Sequence, residues 1–325
     1  MKCVMANSTY PVGAASRAGQ RQMLLLALTR ALAVLAATSS LIGLLTTGGQ
    51  GRQVVQTARG ATVTLYGEGL YAADTWLIGA GNRGQDLAML IFEIPVLLLV
   101  LRWYWRGSAV APAVLAGVLG FFSYYYVSQV FATAQNRLFP LYVAAASLAG
   151  FALVLAASRL NAYSVAAALP GRPGRRILAA YLIAVAAALT LAWLPGMIMT
   201  AVTGNIAEAV GPYTSAATEA LDLGLVVPVA VIAAVQLLRQ RPLGRVLALI
   251  VLVINVCIGV VLMSQGVAQL VSGVPLTAGE IITKMLTFAA LTLVAGGLLA
   301  RMAHPGASET AGSRTASLLR GSGPA

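Results

Sequence analysis

The chain contains an apolar stretch, Val246-Leu-Ala-Leu-Ile-Val-Leu-Val-Ile-Asn-Val-Cys-Ile-Gly-Val-Val-Leu-Met263, in which no residue is charged. A helix of about 20 such residues spans the roughly 30 Å of hydrocarbon in a bilayer. The same character extends over the whole 325-residue sequence, of which 59% is hydrophobic and only 9% is charged. Because soluble domains carry about 25% charged residues, this composition excludes them and predicts a multi-pass membrane protein.

Eight apolar segments predict an all-α, polytopic bundle of transmembrane helices. We expect the spans at about 23–47, 84–105, 108–133, 138–159, 176–201, 219–238, 243–268 and 279–301. The first segment could instead be a signal peptide, but its length and the charge of Arg30 favour a retained helix. Residues 48–83 form the predicted outer loop, with either a small hairpin or an irregular loop at 61–71. The tails are 1–22 and 302–325, and we expect the second to be disordered.

The basic residues predict the orientation of the bundle. On the side that holds the N-terminus lie 15 of the 21 lysines and arginines, against five on the other side. The positive-inside rule then places both termini in the cytoplasm, and the predominance of Arg over Lys indicates a bacterial inner membrane. The net charge of +12 is therefore an orientation signal and not a sign of nucleic-acid binding. Eight of the nine acidic residues fall toward the outer side.

Three acidic residues lie within or near the apolar spans. A charge at the bilayer centre costs about 2.5–3.5 kcal/mol on insertion scales, so such side chains usually face protein or water. Glu93 is expected near the midplane, and Asp86 lies two helical turns earlier on the same face. Both suit binding of a proton or a cation, or else hydrogen bonding between helices. Asp222 is expected near the outer start of its helix, where it either forms part of a site or caps the helix.

Five further residues are candidates for the same ligand- or proton-binding site, and each has a structural alternative. An amide or a tyrosine can equally pack between helices or join an aromatic belt at the membrane surface. A lysine near Glu280 can form a solvated pair with it, and an arginine can simply end a span. These candidates are Gln129, Gln265, Tyr125, Arg137 and Lys284.

The same residue inventory argues against several kinds of chemistry. The single histidine, His304, lies in the polar C-terminal tail, so bis-histidine haem ligation and histidine-rich metal sites are excluded. Cys3 and Cys257 are expected too far apart to pair. No nucleotide-binding, nucleophile-elbow or paired-metal motif is present. We therefore predict no cofactor, no metal and no catalytic residue. The sequence favours a protein that is not an enzyme over one that is.

Polar dipeptides recur at a constant spacing of 136 residues. Asp86-Leu87 corresponds to Asp222-Leu223, and Ser128-Gln129 corresponds to Ser264-Gln265. This spacing predicts two tandem four-helix repeats that share one orientation in the membrane. Chance among helices rich in Leu, Val and Ala is the alternative.

Three stretches resemble a family of bacterial multi-pass inner-membrane proteins with no assigned activity. They are Leu65-Tyr-Gly-Glu-Gly-Leu-Tyr with Arg83-Gly-Gln-Asp-Leu, Tyr126-Val-Ser-Gln through Pro140-Leu-Tyr, and Leu221-Asp-Leu-Gly-Leu-Val-Val-Pro. The resemblance covers most of 60–270. It implies an all-helical inner-membrane protein and supplies no substrate.

Polar residues of several helices are expected to converge in the outer half as a vestibule. This convergence favours a transporter or permease for a small polar or cationic solute. A membrane enzyme or receptor for an outer-leaflet or lipid-linked ligand is the second hypothesis, and a non-catalytic accessory or assembly subunit is the third. The expected partners are membrane lipid and a small molecule or ion, without nucleic acid.

Overall fold

The computed structural model describes residues 12–169, 173–204, 211–213 and 215–304, without the side chains of 12–18, 280 and 282–284. The predicted all-α bundle is confirmed. Its elements, in chain order, are α1 (Val12–Leu45), β1 (Gln53–Gln56), β2 (Thr62–Leu65), α2 (Trp76–Ala88), α3 (Ile94–Trp105), α4 (Ala111–Phe131), α5 (Phe139–Ala157), α6 (Ala162–Ala168), α7 (Arg175–Thr203), α8 (Ala217–Leu221), α9 (Val227–Leu238), α10 (Pro242–Val271), α11 (Ala278–Glu280) and α12 (Thr287–Ala303). Residues 1–11 and 305–325 of the predicted tails lie outside the described residues, and α1 begins at Val12, within the predicted N-terminal tail.

Seven helices in the described ranges are long and apolar enough to cross a membrane, where the sequence predicts eight spans. The seven correspond to the first seven predictions. At the eighth position, a π-turn at Ile281–Leu286 precedes α12. With 17 residues, α12 is shorter than each of the seven spans. The first segment forms α1, whose residues Leu25, Leu32 and Ala36 are completely buried in the bundle core. A retained helix at this position packs as part of the bundle.

The outer loop is shorter than the sequence predicts, because α2 begins at Trp76 and not at 84. Thr75 caps the helix by accepting a hydrogen bond from the amide of Ile78. The glycines of this first part of α2 suggest a loop, but they serve packing. A Cβ at Gly84 would collide with the carbonyl of Ser264, so glycine is what lets α2 lie directly against α10.

The predicted hairpin exists, but it lies earlier in the loop than 61–71. Strands β1 and β2 pair antiparallel, with Gln53 opposite Leu65 and Gln56 opposite Thr62. The residue Gly67, expected near the turn, instead adopts a φ of 76° and lies against the backbone of Gly51. A side chain there would collide with that backbone, so this glycine serves a close approach and not a hairpin turn.

The two halves of the bundle share backbone features at a spacing of 133 residues. The π-turn Met89–Glu93 precedes α3, and the π-turn Asp222–Val226 precedes α9. Each 12-residue helix carries proline at its second position and ends in the same way. The predicted spacing of 136 is thus out of register with the backbone by three residues. Asp86 precedes the first π-turn by three residues, whereas Asp222 is the first residue of the second one.

The halves differ in how tightly their second helices pack. In the first half α2 lies closely along α10, whereas α8 touches α4 only at one end. The counterpart of Gly84 at a spacing of 133 is Ala217, whose Cβ requires more distance between helices. The space left between α4 and the start of the sixth span is a cavity.

Candidate functional site

The cavity has a volume of about 440 Å³. It is bounded by α2, α4, α7, α10, α12 and the segment from Tyr213 to Val226, and it reaches from the hairpin end of the bundle to the middle of α10. Most of its lining is apolar, with aromatic rings on several sides. Its volume falls within the range of about 300–1,000 Å³ that is typical of sites for small organic ligands. The polar groups that line it come from six helical segments.

Asp222 supplies a buried carboxylate to the cavity wall. The side chain is only 5% exposed, and it is the first residue of the second π-turn. Its Oδ1 accepts a 2.9 Å hydrogen bond from the hydroxyl of Tyr124, and its Oδ2 accepts a 2.8 Å bond from Nε1 of Trp193. A carboxylate has about four acceptor positions, so two neutral donors hold it in place and leave capacity for a ligand.

A chain of three glutamine amides joins α2, α4 and α10 on the opposite wall. Gln85 donates to Oε1 of Gln265 at 2.6 Å and accepts from Nε2 of Gln129 at 3.1 Å. The hydroxyl of Thr133 continues the chain by donating to Oε1 of Gln129. Because each amide fixes the next one, these side chains form an ordered polar surface.

Two polar atoms of lining residues have no hydrogen-bond partner within the described residues. They are the amide nitrogen of Asn82 and the hydroxyl of Ser128. A buried polar group without a partner costs about 1–3 kcal/mol. Both atoms are themselves buried, so they lie behind the cavity surface although their residues line it.

The end of the cavity that is farther from the hairpin is closed by a short hydrogen-bonded group. Asn255 in the middle of α10 donates to the hydroxyl of Tyr181 at 2.9 Å, and that hydroxyl donates to the carbonyl of Leu291 at 3.1 Å. These contacts tie α7, α10 and α12 together. They form the floor that separates the cavity from the apolar core beyond it.

At the hairpin end of the cavity, hydrogen bonds connect the two halves of the bundle. Tyr213 donates a 2.8 Å hydrogen bond to Oδ1 of Asp74, which also accepts from the amide of Ala134. The Tyr213 hydroxyl accepts in turn from the amide of Thr75. Burial raises the pKa of Asp74 to about 6, although its two hydrogen bonds act in the opposite direction. Tyr213 lines the cavity, so this contact fixes part of the cavity rim.

The cavity carries negative charge. Among the described lining residues, the only charged side chains are Glu219 and Asp222. Glu219 is half-buried one turn before Asp222, on the same side of the cavity. In a medium of low dielectric constant, two carboxylates without a cation attract a positively charged ligand strongly.

The structure brings together four of the eight residues that the sequence analysis selects. Asp222, Gln129, Gln265 and Tyr125 all line the cavity. They come from three spans distant in sequence, α4, α10 and the start of the sixth span. The cavity lies where polar residues of several spans meet, and its placement in the outer half of the membrane stays a prediction.

Asp86 lies elsewhere, between α2 and α1. Its Oδ2 accepts a 2.7 Å hydrogen bond from the hydroxyl of Tyr71, and the side chain is 2% exposed. A Cβ at Gly43 would collide with the Asp86 carboxylate, which shows how closely α1 covers it. Asp86 is absent from the cavity lining, so its described contacts are those of a helix-packing residue.

The other three selected residues are not in the cavity either. Glu93 is fully buried beside Cys257, and neither carboxylate oxygen has a hydrogen-bond partner among the described residues. It lies near the middle of the second span, as expected. Arg137 is exposed in the loop between α4 and α5, away from Glu93 and the cavity lining. The side chain of Lys284 lies outside the described residues.

The sequence analysis missed Gln85, Asn82, Trp193, Tyr213 and Glu219 as cavity residues. Gln85 adjoins Asp86 in the sequence, and Trp193 precedes Pro195 within an apolar span, so both carried a weak signal. Tyr213 lies in a segment that was predicted as a connection between spans, and Glu219 is the first residue of the predicted sixth span. Their role depends on which helices pack together, which a single sequence does not contain.

The arrangement can hold a small organic cation between one buried carboxylate, one half-buried carboxylate and a wall of amides and aromatic rings. In the part of the chain that the structure describes, no cluster of three or more His, Cys, Asp or Glu side chains could bind a metal ion. No protein-family model matches the chain, and no curated protein or solved structure matches it either.

Proposed function

We propose that this integral membrane protein is a transporter whose cavity binds a small organic cation at Asp222. The observation that carries the proposal is a cavity of about 440 Å³ whose charged lining residues, among those described, are Asp222 and Glu219 alone. Aromatic rings next to a carboxylate favour organic ammonium groups over small, strongly hydrated metal ions.

Transport requires the ligand to leave at the inner end. The floor formed by Asn255, Tyr181 and Leu291 consists of two hydrogen bonds, and neutral bonds contribute only about 1 kcal/mol each. A modest rearrangement of α7 against α10 and α12 would therefore open it. The basic residues favour a bacterial inner membrane with the cavity on the outer side.

Binding is tested with purified full-length protein in nanodiscs, using choline, tetraethylammonium, putrescine and ethanolamine as probes and glycerol as a neutral control. At least one cation should bind saturably, and Asp222→Asn should weaken it at least about tenfold, because a charge-assisted contact is lost. Asp86→Asn is the matched control, since it neutralises a buried aspartate outside the cavity. Ala132→Trp fills the cavity without altering charge and should also abolish binding.

Transport is tested by uptake of the bound cation into proteoliposomes. Saturable uptake that Asp222→Asn abolishes and Asp86→Asn preserves would support the proposal. Binding without uptake in any imposed gradient would overturn transport and leave the second hypothesis, a receptor for an outer ligand, which the one-sided cavity also fits. Equal binding by the wild type and Asp222→Asn would overturn the site itself.

A further inference from the structure

A second cavity, of about 220 Å³, lies at the opposite end of the bundle from the first. It is formed where α6 and α7 meet the connection between α9 and α10. Arg245 in this cavity and Gln265 in the first one both belong to α10, 20 residues apart, which is about 30 Å along a helix. The second cavity is therefore a separate site, at the membrane surface that the basic residues assign to the cytoplasm.

Three arginines line this small space. Arg175 and Arg241 are exposed and Arg245 is half-buried, and Ala166, Leu237 and Pro242 line the same space. No acidic residue is among the described residues that line it. The three guanidinium groups also make no hydrogen bond to any residue that the structure describes.

The arrangement concentrates positive charge where nothing in the described chain neutralises it. Arg241 and Arg245 are four residues apart at the start of α10, a spacing at which like charges repel. Arg175 is the first residue of α7, where the free amides of the first helical turn add partial positive charge. A bound anion would remove both sources of repulsion.

The backbone of Gln240, the remaining lining residue, supplies an independent observation. Gln240 has a φ of 57°, and it is the only non-glycine residue with a positive φ within the described ranges. Its counterpart at the spacing of 133 residues is Gly107, with a φ of 78°. Glycine adopts this conformation without strain, whereas a side chain does so at a cost.

The strained residue is not needed to end α9. The closing hydrogen bonds run from the amides of Gln240 and Arg241 to the carbonyls of Leu237 and Gln236, and glycine would make the same bonds. What glycine lacks is an amide side chain, and Gln240 is one of the residues that line the cavity with the three arginines. Strain of this kind is found where a side chain has a functional role.

We infer that this second cavity binds a phosphate group, held by Arg175, Arg241 and Arg245 with Gln240 as an additional donor. The planar guanidinium group matches phosphate through paired hydrogen bonds, which distinguishes it from a general attraction to anions. Basic pockets between helices at the membrane surface are typical sites for the headgroups of anionic lipids. A soluble phosphate compound presents the same chemistry, so the ligand is either a phospholipid headgroup or a free phosphate ester.

The test measures thermal stabilisation and native mass spectra of the delipidated full-length protein. The probes are phosphatidylglycerol in mixed micelles, phosphatidylcholine as the zwitterionic control, and inorganic phosphate with sodium chloride at matched ionic strength. Phosphatidylglycerol or phosphate should bind saturably, and Arg245→Gln and Arg241→Gln should each weaken binding at least about tenfold. Arg106→Gln, which removes an exposed arginine at the same end, should not.

Gln240→Gly separates the two roles of that residue. The variant relieves the backbone strain, so the ligand-free protein should become more stable, while ligand affinity should fall several-fold. Saturable binding of phosphate alone would identify a soluble ester as the ligand, and binding of phosphatidylglycerol alone would identify a lipid headgroup. The inference is overturned if neither probe binds more tightly than its control, or if Arg106→Gln lowers affinity as much as Arg245→Gln.

Discussion

The indole Nε1 of Trp193 donates a 2.8 Å hydrogen bond to Oδ2 of Asp222, which joins the fifth span to the acidic residue at the start of the sixth. The bond positions the carboxylate that we propose as the cation-binding group. It also satisfies one oxygen of a side chain that is only 5% exposed. A buried carboxylate depends on such donors, because leaving it unpartnered is costly.

Trp193→Phe should lower the free energy of unfolding by about 1.5–3 kcal/mol, since a bond to a charged, buried group is lost while the aromatic ring is retained. Thermal or denaturant unfolding in micelles measures the change. In combination with Asp222→Ala the loss should be less than the sum of the two single losses, because both variants remove the same bond. Strictly additive losses would mean that the two side chains do not interact.

Gly43→Ala should destabilise the protein by about 1–3 kcal/mol, because the added methyl group collides with the carboxylate of Asp86 and the hydroxyl of Tyr71. Gly150→Ala is the matched control. It also lies within a transmembrane helix, but no atom lies within 4 Å of its added Cβ. Stability of the control should be unchanged or slightly higher, by up to about 1 kcal/mol, since alanine favours a helix over glycine. Equal losses in both variants would contradict the close packing of α1 on Asp86.

Asp74 should make the protein less stable as the pH rises from about 4 to about 6. Burial raises the pKa of the native carboxyl from 3.8 to about 6, so in this range the native state retains a proton that the unfolded chain has released. The free energy of unfolding therefore falls with rising pH, by about 3 kcal/mol in total. Above pH 6 the loss is complete.

Asp74→Asn should remove this pH dependence. The melting temperatures of wild type and variant are compared from pH 4 to 7.5, and their difference should change across the interval in favour of the variant. The asparagine Oδ1 can still accept the bonds from Tyr213 and Ala134, so the comparison isolates the charge. Parallel melting curves at every pH would show that Asp74 does not titrate in this range.

Tyr213→Phe should loosen the cavity rim without altering its charge. The variant loses the hydroxyl that donates to Asp74 and accepts from the amide of Thr75. Hydrogen exchange at the Thr75 amide should become at least about fivefold faster, as expected for the loss of about 1 kcal/mol of local stability. Tyr163→Phe is the control, because that side chain is 76% exposed. Exchange that is unaffected by Tyr213→Phe would argue against the contact.

The hydropathy of the sequence predicts the class of fold and the positions of seven spans, because burial in hydrocarbon acts on each segment separately. The start of α2 was predicted wrongly, since Gly79 and Gly81 read as loop residues until the residues against which they pack, Tyr66 and Gln265, are known. The position of a residue along its span can be counted from the sequence, and Glu93 lies near the middle of the second span. The direction in which a side chain points depends on its neighbours, and for this reason Glu93 could not be separated from Asp222 by sequence.

The polar dipeptides indicate two related halves, but their spacing of 136 differs from the 133 that the π-turns and helix ends follow. A π-turn adds a residue to a helical turn while the segment stays apolar, so the hydropathy of the sequence does not reveal it. The partners of Asp222 were equally hidden. Tyr124 and Trp193 are 98 and 29 residues away from Asp222, respectively, and only the packing of the bundle brings them to one carboxylate.

The difference between Gly84 and Ala217 means that the charge preference and the width of the proposed site depend on different residues. The charge preference of the cavity depends on Asp222 and Glu219. Its width depends on the distance between α8 and α4, which Ala217 keeps larger than a glycine would. Substitutions of small residues on α4 and α8 should therefore change which ligand size is accepted while the requirement for a positive charge stays. Size and charge can then vary independently from one related chain to another.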